Sequence, residues 1–95
     1  MDVAVIHERI RRKLSQGLLP AERPTKTWAG NGSGFSCSGC GRPIVAPQLE
    51  FEHDLSEGRL LRFHGVCDGL WRVEVRRILD AEGHAGNECR TGVGP

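Results

Sequence analysis

Four residues of this chain could do chemistry together: Cys37, Cys40, His64 and Cys67, spaced C-x2-C-x23-H-x2-C. Two tight pairs of soft ligands, separated by a short insert, are how a protein closes a tetrahedron around Zn²⁺. Three thiolates and one imidazole make a complete structural set. Catalytic zinc instead keeps an open position, and iron–sulfur sites favour four cysteines. Other uses of a C-x-x-C pair lack their context here. A thioredoxin-like redox pair follows a strand and opens a helix, whereas a glycine-rich stretch precedes Cys37 and Pro43 follows Cys40. Haem attachment needs His directly after the second cysteine, where Gly41 stands. A zinc deaminase needs H-x-E and P-C-x-x-C, but Ser36 precedes Cys37 and no histidine has Glu two residues on. The expected cofactor is structural Zn²⁺, with no catalytic residue.

Each ligand pair needs an element to hold it. CSGCGR at 37–42 reads as a zinc-knuckle turn, with Gly39 and Gly41 leaving backbone N–H groups free to aim at the sulfurs. Residues 49–55, LEFEHDL, alternate: Leu49, Phe51, His53 and Leu55 face one way, Glu50, Glu52 and Asp54 the other. That is the period of a half-buried strand. Ser56-Glu57-Gly58 signals a turn, and RLLRFH at 59–64 a second strand. The two predict an antiparallel hairpin that brings Cys40 to His64, with the acidic face meeting Arg59 or Arg62 across the ladder. Residues 65–81 read as a helix with Cys67 in its first turn, where the helix dipole favours thiolate. Trp71 falls on its apolar stripe and is expected in the core beneath the metal.

Before this unit, residues 2–16 read as an amphipathic helix. Val3, Ile6, Ile10 and Leu14 form its stripe, Asp2 is placed to cap it, and Gly17 ends it. The expected fold is small α+β: an N-terminal amphipathic helix over 1–17, an extended Pro/Gly-rich connector over 18–36, a zinc-binding domain over 37–82 and a disordered tail over 83–95. Leu18, Leu19 and Trp28 are the connector's expected anchors.

Composition agrees with a need for metal. Ninety-five residues make one small domain, and 13 glycines, 5 prolines and only three Phe and two Trp leave little to pack. The formal charge is +1. Exchanging three thiol protons for a divalent ion brings it to zero, so the chain is not generally basic. The N-terminus, MDVAVIHERIRRKL, interleaves apolar and charged residues and is no signal peptide; no stretch approaches a membrane span. A cytoplasmic location is expected, where thiols stay reduced and metal is favoured over disulfides.

The motif CSGCGRPI…RFHGVC resembles the first half of a LIM domain, with C-x2-C, an Ile a few residues later and aromatic-His-x2-Cys. A whole LIM domain continues into a second zinc site, for which only Cys89 is left here. The order C-x2-C, hairpin, H-x2-C and Trp-containing helix also resembles the poly(ADP-ribose) polymerase-type finger, a single Cys3His site that binds DNA ends. GNGSGFSCSGCGRPI…RFHGVCDGLW is similar to small bacterial proteins of unassigned function. These likenesses imply only the ligands Cys37, Cys40, His64 and Cys67.

The function expected is a non-enzymatic, zinc-stabilised binding module. The leading expectation is a regulatory protein contacting nucleic acid through Arg9, Arg11, Arg12 and Lys13 of the first helix. The alternative is a protein–protein adaptor using that helix's stripe and Trp28; the same stripe could instead make a homodimer. A third class is a ββα-metal nuclease built on His53, Asp54 and His64. His53 otherwise reads as a partly buried strand histidine, Trp28 as core, and His7, His84 and Cys89 as surface residues.

Overall fold

The computed structural model describes the backbone of residues 2–87. Along the chain run α1 (Val3–Ser15), β1 (Lys26–Ser36), β2 (Pro43–Asp54), a 3-10 turn (Ser56–Gly58), β3 (Leu60–His64) and α2 (Gly65–Asn87). The strands form one antiparallel sheet in the order β1-β2-β3. The described residues thus form a small α+β fold with two helices and a three-stranded sheet, where the sequence predicts a two-stranded hairpin. No helix among the described residues is long and apolar enough to cross a membrane.

The extra strand lies in the expected connector, which divides in two. Residues 26–36 pair with β2, from Lys26 opposite Asp54 to Asn31 opposite Leu49. Backbone pairing, which needs no side chain, makes a strand of this glycine-rich stretch. Beyond Asn31 the register shifts, so that Ser33 lies opposite Val45. Gly32 there comes so close to the Ile44 backbone that a Cβ would collide with it.

Residues 18–25 are tied down by different anchors from those expected. Leu19 is buried, but Leu18 and Trp28 are exposed, Trp28 at 48%. Trp28 is therefore not core. The Trp71 indole N–H donates to the Pro20 carbonyl at 3.1 Å, and Glu22 accepts from the Ser56 N–H at 2.7 Å while pairing with Arg59. Arg59 thus meets Glu22 rather than the acidic face of β2. Arg62 does approach that face, its Nε 3.5 Å from Glu50.

The two helices pack on each other through Ile6 and Ile10, both buried. His7 and Arg77 add a polar latch on the buried Glu74, at 2.7 and 2.6 Å. Burial pushes the Glu74 carboxyl up, but the hydrogen bonds and charges of Arg77 and His7 outweigh it and hold it below its ordinary value. At its start α1 takes Asp2 as N-cap without a side-chain bond; at its end Gly17 adopts φ +77°, the left-handed residue that closes the helix. α2 runs through Gly83 and Gly86, where the sequence predicts its end, since glycine weakens a helix without forbidding it. Of the expected tail, residues 88–95 with Cys89 lie outside the described residues, as does the His84 side chain.

Under the sheet sits an aromatic stack. Phe63 and Trp71 lie 5.1 Å apart, and the His53 ring 5.2 Å from Trp71. All three are fully or almost fully buried.

Candidate metal centre

The knuckle occupies the turn between β1 and β2. Cys37 N–H donates to the Arg42 carbonyl at 2.8 Å and Gly41 N–H to that of Cys37 at 2.9 Å, which curls 37–42 into a closed loop. Gly41 holds φ +84°, a conformation that costs any other residue strain. Gly39 is needed for a different reason: a Cβ there would stand 3.1 Å from Cys67 Cβ and 3.3 Å from Ile10 Cδ1. β3 delivers His64 and the first turn of α2 delivers Cys67 to the same point.

The sequence-predicted ligands come together. One donor atom each from Cys37, Cys40, His64 and Cys67 lies within 4.8 Å of the others. Tetrahedral zinc with bonds of about 2.1–2.3 Å needs donor separations of roughly 3.5–3.8 Å. Cys40 Sγ and His64 Nδ1 stand 3.4 Å apart. The other donor atoms lie within 4.8 Å, so the set would contract modestly to hold a zinc ion. The cysteines are buried and none is in a disulfide. Behind His64, Nε2 donates to the Pro43 carbonyl at 3.2 Å, which leaves Nδ1 as the unprotonated nitrogen a metal requires.

The sulfurs themselves call for a cation. A hydrogen bond from Cys67, helped by the backbone N–H groups of Cys40, His64 and Gly39, holds the Cys37 thiol down at about 4. The same bond to Cys37, with burial and the charge of neighbouring sulfurs, pushes the Cys67 thiol up. Three buried thiolates cannot coexist without a positive charge among them, which a bound metal ion would supply.

Cations of α1 close the back of the knuckle. Lys13 Nζ donates to the carbonyls of Ser38 and Gly39, both at 3.0 Å, and Arg9 reaches the Cys40 carbonyl at 3.5 Å. Two of the four residues predicted to touch nucleic acid therefore face the metal loop. The other two, Arg11 and Arg12, lie near Glu74 and Glu8 at 3.9 and 3.4 Å and stay largely exposed. Nothing in the sequence distinguishes the two pairs.

His53 is not among the ligands. It is fully buried, with Nδ1 2.8 Å from the Thr27 hydroxyl and Nε2 bonded to Asp68. Asp68 in turn accepts from Arg72 Nε at 2.8 Å. The chain Thr27–His53–Asp68–Arg72 thus ties β1 through the core to α2, the residue after Cys67 being one of its links. A histidine with no exposed surface and both nitrogens engaged has no free position for a divalent ion, which is what the nuclease expectation asked of it.

Comparison with protein-family models, curated proteins and solved structures gives no match. The likenesses to LIM and poly(ADP-ribose) polymerase-type fingers therefore rest on the ligand motif alone.

Proposed function

We propose that the protein is a non-enzymatic binding module, organised by structural zinc, that acts as a regulatory protein contacting nucleic acid. The observation that carries the first part is the closed donor set. Cys37, Cys40, His64 and Cys67 bring four donor atoms within 4.8 Å of one another, and around a tetrahedral ion they would leave no position for water or substrate. Bound zinc would tie the β1–β2 turn to the base of α2. The nucleic-acid part is supported by Arg11 and Arg12, which keep 57% and 62% of their side-chain surface exposed. Three reduced cysteines suit a cytoplasmic setting.

Metal analysis of the gently purified chain is expected to find one zinc per molecule, and a strong chelator to abolish its helical circular dichroism. An empty chain with intact dichroism overturns the reading. Fluorescence anisotropy with a single-stranded oligonucleotide is expected to weaken with salt at a log–log slope of about −0.7 per phosphate neutralised. A flat response removes the nucleic-acid part and leaves the adaptor alternative. That alternative has less of α1 to work with than the sequence suggests. Ile6 and Ile10 are spent in the core, and a homodimer through this helix is left with Val3 and Val5. Trp28, half exposed on β1, is the adaptor's better anchor.

A further inference from the structure

The 20–25 segment and the outer face of α2 enclose a cleft of about 780 Å³, away from the metal ligands. Arg23 enters it from the segment, and Gly69, Arg72 and Arg76 from one face of α2. No carboxylate lines it. Several other arginines of this chain are neutralised: Arg59, Arg62 and Arg77 each lie against a glutamate. Arg23 and Arg76 are exposed and form no ion pair among the described residues. Arg72 bonds Asp68 through Nε alone, which leaves both Nη groups without a hydrogen-bond partner among the described residues. Three guanidiniums against the single charge of Asp68 leave an excess of two positive charges around one cleft.

A second observation is independent of charge. Gly69 lies inside α2, where glycine costs about 1 kcal/mol relative to alanine. The fold does not ask for it: its φ is not positive, and a Cβ built there meets nothing within 4 Å. A bare stretch of helix backbone beside unpaired arginines is what close approach by a ligand requires.

We propose that this cleft binds the phosphate monoester group of a small organic ligand. Such a group carries roughly −1.5 to −2 charges at neutral pH, matching the local excess, and planar guanidinium forks suit its oxygens. Pro24 and Val73 give the cleft an apolar side for the organic body. The volume is within the ~300–1,000 Å³ of small-ligand sites. Arg72 is already oriented, because the buried chain Thr27–His53–Asp68 holds its Nε. The inference rests on the binding-module reading for the fold alone.

The test is calorimetric titration of the zinc-loaded full chain with AMP, ribose 5-phosphate, adenosine and a single-stranded oligonucleotide with hydroxyl ends. Both phosphate monoesters are expected to bind and adenosine not to; inorganic phosphate should compete. Arg23→Gln with Arg76→Gln is expected to weaken AMP binding about tenfold or more, since charge-assisted bonds are lost. Arg42→Gln, the loss of one charge on the knuckle, should change it less than about twofold, as expected of a distant screened charge. Gly69→Ala is expected to raise the melting temperature of the free chain while weakening AMP binding. AMP affinity unaltered in both Gly69→Ala and the double variant overturns the proposal. So does binding of the oligonucleotide when neither monoester binds. Monoester binding without oligonucleotide binding upholds the cleft and removes only the nucleic-acid reading.

Discussion

Lys13 separates a structural cation from a nucleic-acid contact. Its ammonium donates to two carbonyls of the knuckle, Ser38 and Gly39, at 3.0 Å each, in a partly buried setting. Lys13→Met keeps most of the apolar stem and deletes the charge. A hydrogen bond to a charged group contributes about 1.5–3 kcal/mol, and partial exposure brings this pair of bonds to roughly 2 kcal/mol in total. In a domain of this size each kcal/mol moves the melting temperature by about 4–8 °C, so a fall of about 8–16 °C is expected. The reference is Arg12→Met, which loses one exposed pair to Glu8, 62% and 66% exposed, worth at most about 0.5 kcal/mol. Differential scanning calorimetry of the zinc-loaded chains reads both. Zinc competition with a chromophoric chelator should show faster loss of metal from Lys13→Met alone. If the two variants melt within about 2 °C of each other, Lys13 is a surface cation and the inference from its contacts fails.

Three further outcomes follow from other contacts. Gly39→Ala places a methyl 3.1 Å from Cys67 Cβ and 3.3 Å from Ile10 Cδ1, so the zinc-loaded chain should lose about 1–3 kcal/mol in a urea melt; an unchanged midpoint would mean the knuckle and α1 are not in contact. His53→Ala leaves Asp68 buried with only Arg72 and opens a cavity beside Trp71, at a cost of about 3–5 kcal/mol, read by denaturant unfolding and by loss of the Trp71 near-ultraviolet signal. Glu74 makes stability depend on pH. Its carboxyl is held below the ordinary 4.5 in the folded chain, so the unfolded chain takes up the proton first as pH falls. The α1–α2 latch is therefore fully present above about pH 4.5 and is lost as pH drops through the lower folded value. Glu74→Gln should flatten this limb of the stability–pH curve, and an unaltered limb would assign it to other carboxylates.

Part of this protein was legible in its residues because the signals are local. The ligand spacing at 37–40 and 64–67 names its chemistry without reference to the rest of the chain. Hydrophobic period was enough to find α1, α2, β3 and the later half of β2. Period failed where pairing rather than side chains makes the element. KTWAGNGSGFS at 26–36 has no apolar alternation and five contiguous Gly/Asn/Ser positions, and becomes β1 because β2 offers it a ladder of backbone partners. The β2 alternation also misled in detail, for the curl of β1 buries Glu50 beneath Ser33 and Arg62.

The sequence by itself determined which atoms could hold a metal and which segments prefer helix or strand, because those preferences act over a few residues. Only the tertiary structure decided where the charges went. It turned Lys13 onto the knuckle, enclosed His53 between Thr27 and Asp68, and set Arg23 across from Arg72 and Arg76. Residues that far apart in the chain meet only when burial and backbone pairing bring their elements together, and no short-range pattern records that meeting.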